Sequence, residues 1–283
     1  MNLNSNSNTR IALTWGDCGE NHAGNQQVGK IQETGTGVTM EDLKNFYQYY
    51  TEDIGGKADI HTFSVPENEN CPHKGKAGVL ILRNFLKKEE VELLMDELLS
   101  KTWDSKFLNR RTGKVLNKHA RENLIFMCGV EQEAEYEKGK GTIEDIEKMK
   151  ILNKVDKKMK EINKRITEHN CDLICEGNKY RIKARIKSEQ QGIGWHGDAE
   201  RTRVFALSVG GEKYCIKWCL FHRNVPMMEP EEFYLNSGDV YIMSELAVGQ
   251  QWNKSSLWTW RHAAGDEKYV SLKRFEERIK KKQ

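Results

Sequence analysis

The chain has 283 residues, 37% of them hydrophobic and 31% charged, and carries a net charge of +3. That length allows one large domain or two small ones around a substantial core, and the near balance of charge excludes polyanion binding by the molecule as a whole, so any nucleic acid must meet a local basic surface. No apolar run approaches the length of a bilayer span, and the polar start MNLNSNSNTR lacks the basic-then-apolar layout of a signal peptide, so the reading is of an intracellular protein without a membrane partner.

Residues 1–76 are rich in Gly, Asn, Thr and Ser, with one helical patch, MEDLKNFYQYY, and are expected to form an N-terminal extension or a loosely packed cap. The compact domain, 77–283, is expected to open with a buried strand, GVLILRNF, followed by the helix KKEEVELLMDELLS, whose Val91, Leu94, Met95 and Leu98 recur at helical spacing. A basic stretch, Asn109 to Arg121, precedes a second amphipathic helix marked by Ile146, Met149, Leu152, Val155, Met159, Ile162 and Ile166. After Cys171 the period changes to two. Asn178, Tyr180 and Ile182 alternate with Lys179, Arg181, Lys183, Arg185 and Lys187, which predicts a strand with one cationic face. RVFALSV, KYCIKWCLF, EFYLNSGDVYIMS, SLWTWRH and KYVSLKRF follow as further strand candidates. Many short strands after two helices indicate an α+β protein built on a β-sandwich or barrel.

The seven cysteines are odd in number and scattered, which fits reduced thiols. Two C-x3-C pairs, Cys171/Cys175 and Cys215/Cys219, have the residue type for a zinc site, but the second pair sits inside a strand, where small buried cysteines are common.

The segment GIGWHGDAER places His196 and Asp198 two residues apart. On an extended strand those side chains share a face. A third ligand completes a metal site, and two downstream histidines offer themselves: His222, after the strand KYCIKWCLF, and His262, followed by Ala-Ala-Gly. Position near the end of the strand series favours His262. Two histidines and a carboxylate form a facial set that holds Fe(II) and leaves open positions for a cosubstrate and dioxygen.

From about residue 78 onward the ordered set Asn178-Lys-Tyr180, His196-Gly-Asp198, NSGDVYIMS (residues 236–244) and His262 resembles the iron(II)- and 2-oxoglutarate-dependent dioxygenases, specifically the AlkB-like ones. GENHAG (residues 19–24) and RHAAG (residues 261–265) further resemble a subgroup found in large DNA viruses and some microbial eukaryotes. The resemblance implies a double-stranded β-helix, or jelly roll. It implies iron on His196, Asp198 and His262, and 2-oxoglutarate hydrogen-bonded by Asn178 and Tyr180. Such enzymes carry two arginines six apart on the last strand to neutralise the cosubstrate. This chain has Lys268 and Arg274 at that spacing, and of the two only Arg274 offers a bidentate fork.

Arg181, Lys183, Arg185 and Lys187, together with the stretch Asn109 to Arg121, are candidate phosphate contacts for DNA or RNA, and Trp195, adjoining His196, is a candidate base-stacking surface. Three readings stay open: a nucleic-acid dioxygenase that hydroxylates or demethylates, a protein or small-molecule hydroxylase on the same fold, and a non-catalytic β-helix binding module.

Overall fold

A computed structural model describes residues 8–67, 71–169, 171–182, 190–211, 213–273, 275 and 277. The chain begins with β1 (Thr9–Gly16), a short hairpin of β2 (Cys18–Glu20) and β3 (Gln27–Gly29), α1 (Met40–Gln48), β4 (Lys57–Thr62) and β5 (Gly78–Arg83). Next come α2 (Lys88–Leu99), a second hairpin of β6 (Lys106–Asn109) and β7 (Lys114–Asn117), β8 (Glu122–Met127), β9 (Ile143–Asp145), α3 (Lys150–Ile166) and β10 (Ile174–Arg181). The remainder is β11 (Gly192–His196), β12 (Val204–Val209), β13 (Tyr214–His222), β14 (Val225–Pro226), β15 (Glu231–Leu235), β16 (Val240–Met243), α4 (Glu245–Val248), β17 (Thr259–Gly265) and α5 (Glu267–Val270).

The fold is α+β and strand-rich. An eight-stranded sheet runs β4-β5-β16-β12-β1-β10-β8-β9, antiparallel except for the β8/β9 pair, and a five-stranded sheet runs β11-β17-β13-β14 with β15 also paired to β13. Strand alternation sorts the large sheet into two faces. Ile11, Leu13 and Trp15 of β1, with Leu80 and Leu82 of β5, pack against Leu43 of α1, Leu94 of α2 and Leu152, Val155 and Met159 of α3. Val79, Ile81, Val204 and Ala206 on the opposite face join Ile216, Trp218 and Trp260 of the smaller sheet. The all-apolar run of β5 is explained by this double burial.

Local chemistry fixes the elements. Thr39 and Asp42 form a capping box at α1. The α3 residues Leu152, Val155, Met159, Ile162 and Ile166 are buried at helical spacing, and the buried Asp156 accepts from the Trp15 indole at 3.0 Å, which pins this helix to β1. In the turn before β16, Asp239, fully buried, pairs with Arg83 at 2.7 Å and accepts from the backbone N–H of Asn84 and Asn236.

Two expectations are corrected. Residues 1–76 contain a strand, β1, that lies between β12 and β10 inside the large sheet, so this part of the chain is not merely a loosely packed cap. The alternation Ile11, Leu13, Trp15 is the pattern that builds it. Conversely, the described residues of KYVSLKRF form no strand: among the described residues the last strand ends at Gly265, and α5 follows.

Candidate metal centre

β11 and β17 are antiparallel neighbours, and His196 stands directly opposite His262. Between Ile193 and His196 the register shifts: three steps along β11 match two along β17, from Ala264 to His262. A bulge of this kind reverses the alternation. It lets Ile193 and His196 both face the space between the sheets, while Trp195 turns to the other side.

Asp198 lies just past the end of β11. It reaches the histidines because its backbone N–H donates to the Val248 carbonyl at 3.0 Å, at the end of α4. Gly197 makes that approach feasible. A Cβ there would lie 2.2 Å from the Gly249 carbonyl oxygen, and Gly249 itself has φ +73°.

The three side chains converge, with ligand atoms all within 4.8 Å of one another. Asp198 Oδ1 is 3.3 Å from His196 Nε2 and 3.7 Å from His262 Nε2, and the two rings are 4.4 Å apart. His196 Nδ1 faces the carbonyl oxygens of Gly194 at 2.7 Å and His262 at 3.1 Å, so it carries the ring proton and donates. Its Nε2 then either bears a second proton or offers a lone pair to a cation. Burial and the neighbouring His196 push His262 down to about 3 against the pull of Asp198, which keeps that imidazole neutral. Burial opposes the charge on Asp198, but the hydrogen bond with His196 and the charge of Arg201 act against it and hold the carboxyl below its ordinary range. A neutral imidazole beside an ionised carboxylate is the donor state that a divalent cation requires. This buried His-Asp-His cluster could bind a metal ion.

The cluster borders a cavity of about 540 Å³ enclosed by the two sheets. Arg10, Ala12 and Thr14 of β1, Glu176, Asn178 and Tyr180 of β10, and Tyr241 of β16 line one wall; Tyr214, Ile216 and Ala264 of the smaller sheet line the other. Beside Asp198 sits a buried charge network. Arg201 contacts Glu176 at 2.8 Å and Glu200 at 3.1 Å, and Glu176 also accepts from Asn178 Nδ2 at 2.9 Å and from the Glu20 N–H at 3.2 Å. Burial raises Glu200 to about 7, whereas Arg201 and Arg121 keep Glu176 below its usual value despite burial.

Of the expected site residues, the structure brings together His196, Asp198, His262, Asn178 and Tyr180. It selects His262 over His222, whose ring stacks on Trp258 at 4.5 Å. Asn178 Oδ1 accepts from Arg121 Nε at 2.6 Å. Lys268 is displaced from the role foreseen for it: it is exposed on α5, with its ammonium over the Tyr269 ring at 5.4 Å. Trp195 cannot stack a base, because it is 3% exposed, packs against Phe221 and Val270, and donates to the Val270 carbonyl at 3.1 Å. Trp252, half-buried, also lines the cavity, which Trp195 borders as well. Arg181 is exposed at the end of β10, and its neighbour Lys179 is paired with Glu122 at 2.5 Å. Lys183, Arg185, Lys187 and Arg274 lie outside the described residues.

Sequence reasoning missed Arg10, Tyr214, Tyr241 and Glu176, and placed Arg121 only at the end of a basic, phosphate-binding stretch. Arg10 was discoverable, since it shares with Ala12 and Thr14 the face opposite to Ile11, Leu13 and Trp15. The two short motifs GENHAG and RHAAG both border the cavity, through Glu20, His22 and Ala23 on one side and His262 and Ala264 on the other. The His22 ring lies 3.8 Å from that of Phe107, tilted by 33°, and by burial and the proximity of Lys118 and Arg121 it is pushed down to about 4.

No family model matches the chain. It is similar to an uncharacterized protein of Acanthamoeba polyphaga mimivirus, with 32% identity over 262 residues that cover 92% of this chain and 97% of that protein. Among the described residues no helix is long and apolar enough to cross a membrane.

Proposed function

The chain belongs to the same family as that mimivirus protein, and from this premise we propose that it is an AlkB-like Fe(II)- and 2-oxoglutarate-dependent dioxygenase acting on nucleic acid. In this reading the two facing sheets are a double-stranded β-helix. The observation that carries the proposal is the convergence of His196, Asp198 and His262 on the wall of an inter-sheet cavity. Two imidazoles and one carboxylate are the donor set of ferrous oxygenase sites.

His196, Asp198 and His262 would hold the metal, and Asn178 and Tyr180 stand on the cavity face of β10 where a cosubstrate would lie. Together the metal and 2-oxoglutarate supply one oxidation: a substrate C–H becomes C–OH as dioxygen is consumed and 2-oxoglutarate yields succinate and carbon dioxide. On an N-methyl group the hydroxylated carbon leaves as formaldehyde and the nitrogen regains a proton. The chain's own part is positional. Gly194 fixes the His196 ring through its Nδ1 proton, the α4 carbonyl of Val248 places Asp198, and the Arg201/Glu176 pair holds β10 against the segment that follows β11.

Support for a polyanionic substrate comes from the hairpin β6/β7. Its turn and the start of β7 expose Arg110, Arg111 and Lys114, and its base is tied to the GENHAG turn by the His22/Phe107 ring contact and the Asn25 to Leu108 hydrogen bonds. A second hollow of about 530 Å³, bordered by Phe107, Lys118 and Tyr269, shares His22 and Arg121 with the first. Exposed basic side chains on the hairpin, with Lys118 and Arg121 on the second hollow, supply sequence-independent phosphate affinity.

The test is to supply protein purified without oxygen with Fe(II), 2-oxoglutarate and oxygen, together with methylated or unmodified DNA or RNA, and to measure succinate and nucleoside masses. Succinate that rises with polynucleotide, alongside a changed nucleoside mass, is the expected result. Succinate that rises only with proteins or small molecules assigns the site to a hydroxylase of that class. Absence of succinate from metal-loaded protein contradicts the dioxygenase reading in favour of a binding module.

A further inference from the structure

Arg10 is 3% exposed and lines the same cavity as the metal cluster. Its Nε donates to Ser208 Oγ at 3.3 Å and its guanidinium lies over the Tyr214 ring. Its NH1 is buried and, among the described residues, has no hydrogen-bond partner. Nor does any described carboxylate form an ion pair with it: the nearby Glu176 is committed to Arg201, Asn178 and the Glu20 N–H. A buried cation without an anion is costly, and such groups are retained where a ligand completes them.

The surroundings have the matching chemistry. Arg10 stands opposite Tyr180 in the β1/β10 register. Tyr180, Tyr214 and Tyr241 all line the cavity, and burial holds their phenols above the ordinary value, so they offer neutral O–H groups and no negative charge. Arg10, Tyr241 and the three residues of the metal cluster all line this one cavity.

We infer that Arg10 binds the distal carboxylate of the 2-oxo acid cosubstrate, within a cage of tyrosines, and sets the preference for a 2-oxo dicarboxylate over a 2-oxo monocarboxylate. The inference rests on the dioxygenase reading and adds a residue from the first strand, remote in sequence from the basic pair Lys268 and Arg274 that follows the last strand. A guanidinium fork on a carboxylate makes two parallel charge-assisted hydrogen bonds.

The test uses Zn(II)-loaded protein, which binds without turnover, and compares by calorimetry 2-oxoglutarate with 2-oxopentanoate, where a methyl replaces the distal carboxylate. The parent should prefer 2-oxoglutarate by about 10- to 100-fold. Arg10→Met should abolish that preference while metal stoichiometry and 2-oxopentanoate affinity stay at parent levels. Arg10→Lys, which keeps the charge and loses the fork, should retain part of it, and it carries the test should Arg10→Met fail to fold. A preference unchanged in Arg10→Met, or in Arg10→Lys if only that variant folds, overturns the role of Arg10 and leaves the dioxygenase reading standing. A parent protein that loads metal and binds neither acid overturns that reading, and the inference with it.

Discussion

Replacing Gly197 by Ala tests how the two sequence-adjacent ligands are held. The added Cβ would meet the Gly249 carbonyl oxygen at 2.2 Å, where ordinary contact begins near 3.4 Å, so the two backbones must separate by about 1.2 Å. The carbonyl oxygen is a backbone atom and the Cβ position is fixed by the backbone, so no side-chain rotation relieves the overlap. The separation also stretches the 3.0 Å bond from the Asp198 N–H to Val248. Overpacking of this kind costs about 1 to 3 kcal/mol and a lost buried hydrogen bond about 1 more, giving a destabilisation of about 2 to 4 kcal/mol. Metal binding should suffer as well, because a shift of that size removes Asp198 from bonding distance of an ion shared with His196. Urea unfolding measures the first effect and equilibrium dialysis against Mn(II) the second. A Gly197→Ala protein with parental stability and parental metal affinity would refute the argument that close approach to α4 positions Asp198.

Trp195→Ala should cost about 3 to 5 kcal/mol in urea unfolding, as a large core residue does, whereas Trp252→Ala should leave stability nearly intact and weaken substrate binding; the reverse outcome would restore Trp195 as a stacking surface. Lys268→Ala should titrate with 2-oxoglutarate like the parent, because its side chain is exposed on α5; a sharp loss of cosubstrate affinity would contradict its placement. The His22 imidazole is held at about 4, below its ordinary 6.5, so between those values the unfolded chain binds the extra proton and stability falls as pH drops. The melting temperature should therefore decline less steeply from pH 6.5 to 4 in His22→Gln than in the parent, and equal slopes would mean that His22 is not buried enough to matter. Converting Arg110, Arg111 and Lys114 to Gln should weaken polynucleotide binding at all sequences and flatten its salt dependence by about two to three units; unchanged binding would make the hairpin turn a solvated surface only.

Spacing alone identified His196 and Asp198, because two ligand types two residues apart converge on a strand or just beyond its end. It could not show the bulge at residues 193–196, which brings Ile193 to the same side as His196, whereas simple alternation from His196 puts Ile193 with Trp195 on the other. Bulges depend on the partner strand, so no local pattern announces them. The helices were legible from their periods, since α2 and α3 bury regular stripes against the large sheet. β1 was overlooked because the Asn- and Gly-rich composition around it outweighed a seven-residue alternation that was present. α5 was misread for the opposite reason: its segment alternates, but only four residues form the helix, and too few lie in it for either period to be decisive. The basic residues near the C-terminus were assigned by spacing to a strand that ends at Gly265, whereas the buried cation of the cavity comes from the other end of the chain, a distance that only the sheet order bridges.

Anaerobic titration of the purified protein with Fe(II) tests the central claim most directly. The account predicts one ion per chain in the parent and in His222→Ala, and loss of that ion in His196→Ala, Asp198→Ala and His262→Ala. Fe(II) bound by His262→Ala with parental affinity and stoichiometry would contradict it.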